Sequence, residues 1–167
     1  MFKVDDVVLY GSEGVCRITE ITDKNFGRGP EKYYVLKPVY KALSTVFVPA
    51  GNEALVSRMH SVLSRDEVNR FIDGLPNEKL PWIEDENERK AKYKEILDSG
   101  DRCGLACVIG TIFHRRKALH AAGKKLHLCD ERAFKDAEKM LYDEFAYVLN
   151  ISPDDVPAYI RSRIGDA

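Results

Sequence analysis

The chain has 167 residues, of which 44% are hydrophobic and 32% are charged, and its formal net charge is -1. This composition excludes a fully disordered chain, and no apolar run approaches the roughly 18 residues that a membrane-spanning helix needs. Two acidic residues near the start stand where a signal peptide would be apolar, and the four cysteines form no CxxC pair, so we expect a cytoplasmic protein without a disulfide framework.

The first part of the chain has the alternating pattern of short β-strands. Val7–Tyr10 is rich in strand-forming residues, residues 11–14 are typical of a turn, and residues 15–21 alternate apolar and polar side chains. This pattern predicts a hairpin, with glycine where a positive φ is cheapest. The polar residues 23–31, with two glycines and a proline, predict an exposed loop.

Two more strands are predicted at residues 33–40 and 44–49, with Pro38 at a strand end or a sheet edge. Four or five strands within so few residues favour closure into a small SH3-like or Tudor-like β-barrel, because a tiny open sheet has too many free edges. We assign this barrel to a first domain at residues 1–58.

The period becomes helical from Ser64, which with Glu67 has the spacing of a capping box. Residues 74–77 should end this first helix. Four further helices are predicted. The first runs from shortly after Pro81 to Leu97, with Gly100 near its C-cap. The next two span about 102–121 and about 130–149, and a short last helix starts at residues 152–155. Strands followed by helices predict an α+β fold, with an all-α domain of about four to five helices at residues 59–167.

Motifs of catalysis are absent from the sequence. GxxxxGK[ST], GxGxxG and GxSxG do not occur, and the acidic residues 84–86 suit the start of a helix without any acid–base role. We expect no enzyme, no cofactor and no small-molecule substrate. Cys103, Cys107 and His114 leave a metal site open as an alternative, although free cysteine is a common core residue.

Charge is distributed unevenly along the helical half. Residues 101–129 carry six basic residues, one acidic residue and three histidines, whereas residues 61–100 carry seven basic and ten acidic residues. Such asymmetry can mark a face that meets phosphates, and it can equally be a solvated helix end.

Several blocks, in order, resemble a known family. Residues 2–10, Gly14, residues 33–36 and residues 46–50 resemble the N-terminal module of the CarD/CdnL transcription regulators, which is similar to the polymerase-interacting domain of the transcription-repair coupling factor. The blocks of the second half resemble the helical domain of CarD/CdnL proteins; they are Arg89, Tyr93, residues 97–101, residues 124–126 and residues 130–132.

The resemblance implies a bacterial transcription regulator. Its barrel would bind the β subunit of RNA polymerase, and its helices would contact promoter DNA at the upstream edge of the bubble and stabilise the open complex. The implied polymerase-binding residues are Lys24, Lys37, Phe47 and Val48. Phe47 stands where another member has arginine, and its alternative role is a core side chain.

On the DNA side, the resemblance and the basic clusters together point to ten residues. They are Trp82, Arg89, Lys90, Lys92, Lys94, Arg115, Arg116, Lys117, Lys124 and Lys125. Trp82 is the candidate for the family's minor-groove wedge, although alignment puts Glu86 at that position, and packing between the domains is its alternative role. Phosphate contacts predict weak, salt-sensitive and largely sequence-independent DNA binding. The alternative function is a protein–protein adaptor on polymerase without DNA contact.

Overall fold

A computed structural model describes residues 1–41, 43–75 and 80–165 of the chain. The chain divides into two compact units, Met1–Val62 and Leu63–Ala167. The first unit extends beyond the expected boundary at residue 58 because Met59–Ser61 forms a strand that pairs with Val7–Tyr10. No helix within the described residues is long and apolar enough to cross a membrane.

Within the described residues the first unit has antiparallel strands, one short α-helix and a 3-10 turn at Gly11–Glu13. Its elements are β1 (Val7–Tyr10), β2 (Gly14–Asn25), β3 (Pro30–Pro38), β4 (Val46–Pro49), α1 (Glu53–Val56) and β5 (Met59–Ser61). The predicted first hairpin is present, and Gly14 has a φ of 74° where β2 begins. Pro38 is the last residue of β3, as predicted.

The second hairpin is tighter than the predicted loop. Residues 23–25 belong to β2 and pair with β3, so that Asp23 lies opposite Lys32 and Lys24 lies opposite Glu31. Cross-strand pairs of opposite charge stabilise such a ladder. The prediction of a loop over residues 23–31 is therefore wrong except for the four residues of the turn itself, 26–29.

The strands pair in the order β4-β3-β2-β1-β5. Within the described residues no pairing between β4 and β5 closes this order, and the barrel stays a prediction. One face of the sheet packs into a core, whose buried members are Val8, Cys16, Ile18, Tyr34, Leu36, Val48 and Met59. Burial raises the pKa of the Cys16 thiol to about 12, as expected for a core cysteine.

The second unit is helical, which together with the sheet gives an α+β fold. Its α-helices within the described residues are α2 (Arg65–Gly74), α3 (Glu86–Ser99), α4 (Arg102–Ala121), α5 (Leu128–Leu149) and α6 (Val156–Ile164), the last after a 3-10 turn at Pro153–Asp155. The predicted capping box is present: Ser64 accepts from the Glu67 backbone, and the Glu67 carboxylate accepts from the Ser64 backbone. Of the residues expected to end α2, Pro76 and Asn77 lie outside the described residues.

Helix α3 begins later than the sequence pattern predicts. Asp85 caps it by accepting a hydrogen bond from the Glu88 backbone, so residues 82–84 precede the helix. Gly100 ends it in the left-handed conformation, with a φ of 67°. The late start places Trp82 in a non-helical segment, so that this segment presents its ring and a face of α3 does not.

Helix α5 connects two core clusters of this unit. Phe134 and Ala137 pack with Tyr93 and Leu105 in one cluster. Further along α5, Phe145 and its neighbours pack with α2 and α6 in the other.

Candidate functional site

Three aromatic side chains lie together on the surface of the first unit. Phe26 is in the β2–β3 turn, Tyr33 is in β3 and Phe47 is in β4. The Phe26 ring lies 5.1 Å from that of Tyr33 and 5.3 Å from that of Phe47, between centroids. Phe26 is 59% exposed and Phe47 is 40% exposed. We call these three residues the aromatic patch; contiguous exposed apolar surface of this kind is typical of interaction sites.

The aromatic patch adjoins the end strand of the sheet. In β4, Val48 faces the core, and its neighbour Phe47 points to the other side because side chains alternate along a strand. The Ala50 backbone N–H donates to the Lys32 carbonyl at 2.8 Å. By the alternation of an antiparallel ladder, the peptide groups of Phe47 then point away from β3. Among the described strands β4 pairs only with β3, so this edge is open.

A second site surrounds Trp82, the only tryptophan of the chain. The guanidinium carbon of Arg89 lies 4.4 Å from the centroid of the Trp82 ring, and that of Arg115 lies 4.9 Å from it. Both distances suit cation–π contacts. The ring itself is half-buried.

The guanidinium of Arg89 is buried, with a residue exposure of 3%. Its Nε and Nη2 atoms donate to the two carboxylate oxygens of Asp130 at 2.8 and 2.9 Å, and its Nη1 atom donates to the Ile83 carbonyl at 2.9 Å. The hydrogen bonds to Asp130 raise the pKa of Arg89 above its ordinary value, against the effect of burial. Arg89 is therefore a permanently charged group held inside the unit.

The remaining cations fall into two groups. On α3, Lys92 pairs with Glu95 at 3.6 Å and Lys94 pairs with Asp98 at 3.2 Å. Among the predicted DNA-binding lysines, those that are exposed and make no ion pair within the described residues are Lys90, Lys117, Lys124 and Lys125. The unpaired charge of the predicted DNA-binding residues thus lies mainly at the end of α4 and in the segment after it.

Residues 2–60 match the family model of the CarD-like/TRCF RID domain. The match covers the first unit almost completely, since that unit ends at Val62. The first unit is therefore similar to the CarD-like/TRCF RID domain, and we call it the RID domain below. The match confirms the resemblance inferred from the blocks within residues 2–50, and it supports transcription as the process and RNA polymerase as the partner. The helical unit lies outside the matched residues.

The predicted polymerase-binding residues occupy different environments in the RID domain. Lys24 and Lys37 are exposed on β2 and β3, and Phe47 belongs to the aromatic patch, so it is not a core side chain. Val48 is fully buried. Its side chain packs into the core, and by the same alternation its peptide groups point toward β3. Both features argue against a direct polymerase contact by Val48.

The predicted DNA-binding residues are also divided. Trp82 and Arg115 are brought together, whereas the Arg89 guanidinium is enclosed by Asp130 and the Ile83 carbonyl. This enclosure argues against a direct phosphate contact by Arg89, because the residue is only 3% exposed and three of its five N–H donors are already used. Arg116 contacts Glu131 at 3.1 Å and stacks 4.2 Å from the Phe134 ring centroid, which ties it to α5.

Sequence reasoning missed Asp130 and Phe26. Asp130 lies 41 positions from Arg89, and no local signal joins them. Phe26 sits in a glycine-containing turn and shows no periodicity that would mark it. The alternative metal site at Cys103, Cys107 and His114 is not supported: the described residues include no group of three or more His, Cys, Asp or Glu that could hold a metal ion.

Proposed function

We propose that this protein is a bacterial transcription regulator that binds the β subunit of RNA polymerase through its RID domain. Its helical unit would contact promoter DNA near the upstream edge of the bubble and stabilise the open complex. The observation that carries this proposal is the aromatic patch beside the open edge of β4, within a domain whose family interacts with RNA polymerase. No reaction is part of the proposed function, and its place is the cytoplasm.

On the polymerase side, we propose that a strand of the β subunit adds to the edge of β4. The outward peptide groups of Phe47 would supply the main-chain hydrogen bonds, and the aromatic patch would supply the apolar contact. Lys24 and Lys37 would meet acidic groups around this edge. The Phe47 ring would make an apolar contact where another member of the family has a charged one.

On the DNA side, Trp82 and Arg115 would contact the bubble edge. Lys117, Lys124 and Lys125, which are exposed and unpaired within the described residues, would hold phosphates. Such contacts position a protein on DNA without reading its sequence. Affinity should therefore fall steeply with salt.

The polymerase contact is tested with the full chain and its cognate core RNA polymerase. We expect Phe47→Asp to weaken capture of the polymerase at least about tenfold, as loss of an interface anchor does. The matched control is Val4→Asp, another exposed apolar residue of the RID domain. It precedes β1, which lies three places from β4 in the sheet order. Equal binding by Phe47→Asp and the unchanged protein would refute the β4 edge as the docking site.

A second candidate function is an adaptor on RNA polymerase that does not touch DNA. The burial of Arg89 against Asp130 favours it, and so does the pairing of Lys92 and Lys94 with acids, because three of the predicted phosphate-binding side chains already have acidic partners. Open-complex lifetime distinguishes the two functions. A shorter lifetime with Trp82→Ala and with Lys117, Lys124 and Lys125 changed to glutamine supports DNA contact; an unchanged lifetime in both supports the adaptor.

A further inference from the structure

The segment that carries Trp82 is held on both sides of the tryptophan. Before it, the Leu80 backbone N–H donates to the Thr111 hydroxyl at 2.7 Å, and that hydroxyl donates to the Leu80 carbonyl at 3.2 Å. After it, the Ile83 carbonyl accepts from Arg89 at 2.9 Å. A non-helical segment of this kind would otherwise be free to move, because it has no backbone ladder of its own.

Arg89 joins three parts of the unit through one guanidinium. It lies over the Trp82 ring, bonds the Ile83 carbonyl and makes a bidentate pair with Asp130. The pair is buried on both sides, with side-chain exposures of 3% and 3%. A planar fork held at two carboxylate oxygens has little freedom to turn, so the face it offers to the indole is fixed.

Arg115 approaches the same ring under different constraints. Its guanidinium carbon is 4.9 Å from the ring centroid, and its buried Nε atom has no hydrogen-bond partner in the described part of the protein. Arg89 is therefore the member of this arrangement that a carboxylate anchors.

We propose that Arg89 and Asp130 are positioning residues, a buried ion pair that holds Trp82 in the orientation it needs at its target, and that Arg89 does not contact phosphate. The link to DNA rests on the proposed function; the positioning of the indole does not. The pair therefore has two separable consequences, one in the free protein and one in the promoter complex.

The first test is tryptophan fluorescence of the full chain, since Trp82 is the sole tryptophan. For Asp130→Asn we expect a red-shifted emission and about a twofold larger acrylamide quenching constant, because the ring loses its fixed cationic cover. The control is Glu144→Gln, which weakens the Arg102–Glu144 pair of the same unit. The carboxylate of that pair is also buried, and no contact joins it to Trp82 within the described residues. Unchanged fluorescence in Asp130→Asn, with the helical circular dichroism retained, would overturn the proposal.

A second variant covers the case in which Asp130→Asn fails to fold. Arg89→Lys keeps the positive charge but cannot make the bidentate pair with Asp130, and it should shift the Trp82 emission in the same direction. An unchanged emission in this folded variant would also overturn the proposal.

The promoter complex separates positioning from direct contact. Asp130→Asn removes a negative charge beside Arg89. If Arg89 binds phosphate, this variant should associate with DNA equally well or more tightly. If the ion pair positions Trp82, the variant should shorten the open-complex lifetime toward that of Trp82→Ala. A plot of log affinity against log salt concentration has a negative slope, and Arg89→Gln should leave that slope unchanged. A slope shallower by about 0.9 would reveal a lost phosphate contact and refute positioning. If fluorescence responds but no variant, Trp82→Ala included, alters the lifetime, the ion pair still positions Trp82 and the proposed DNA function is the one that fails.

Discussion

The guanidinium of Arg102, at the start of α4, donates two hydrogen bonds of 2.6 Å to the carboxylate of Glu144 on α5. Glu144 is fully buried, and it also accepts from the Leu63 backbone N–H at 3.1 Å. The Glu144 carboxylate on α5 thus binds both Leu63, the first residue of the helical unit, and the start of α4. A buried pair of this kind stabilises little relative to an apolar replacement, but breaking it leaves an uncompensated charge.

We therefore expect Glu144→Ala to lower the free energy of unfolding by about 3–5 kcal/mol. Urea unfolding followed by helical circular dichroism measures this loss. The matched control is Glu131→Ala, which removes the partner of Arg116 in a partly exposed pair and should cost at most about 1 kcal/mol. Equal losses for the two variants would contradict the structural role of Glu144.

Helices α3 and α4 approach closely at Gly104. A Cβ atom built there would lie 2.8 Å from the Cγ2 atom of Ile96, and Ile96 is buried and stiff at χ1. Gly104→Ala should destabilise the unit by about 1–3 kcal/mol through overpacking, despite the better helix propensity of alanine. Combining it with Ile96→Leu, which removes the Cγ2 methyl, should recover part of this loss in a double-mutant cycle. Additive losses would refute the contact.

Tyr93 is buried at 3% exposure, and its hydroxyl has no hydrogen-bond partner within the described residues. Burial, together with the nearby charge of Asp130, raises the pKa of Tyr93 to about 12 from 10.0. Because the folded pKa is raised, the unfolded tyrosine ionises first. The contribution of Tyr93 to stability is present in full below pH 10 and is lost as the pH rises toward 12.

Comparison of the unchanged protein with Tyr93→Phe isolates this group. Near neutral pH the variant should be as stable as the unchanged protein or up to about 1 kcal/mol more stable, since an unpaired buried hydroxyl is removed. Near pH 11 the difference in free energy of unfolding between the variant and the unchanged protein should have moved by about 1 kcal/mol further in favour of the variant. Parallel stability curves from pH 8 to 12, measured by urea unfolding, would show that the pKa of Tyr93 is not raised.

Neighbouring residues of β4 should respond in opposite ways. Val48→Ala removes buried methyl groups from the core of the RID domain, so it should lower stability by about 2 kcal/mol. Phe47→Ala, on the exposed side of the strand, should leave stability within about 0.5 kcal/mol and weaken polymerase binding. Thermal unfolding and polymerase capture measured on both variants test the assignment of the two faces.

Local patterns were sufficient to predict most elements of this protein. The Ser64–Glu67 capping box and the bounds of α4 follow from side chains within one helical turn of the positions they control. The first hairpin follows in the same way from alternation and from glycine at the start of β2. The order of the sequence blocks also identified the RID domain family.

Contacts between distant residues decided the rest. An alternating pattern predicts a strand, but it does not tell which of the two faces is buried. Only the packed core shows that Val48 points inward and Phe47 outward. The family resemblance predicts a DNA contact for Arg89, yet Asp130, 41 positions away, encloses its guanidinium. A charge in a sequence has no partner until the chain folds, and the partner determines whether that charge meets solvent, nucleic acid or another side chain.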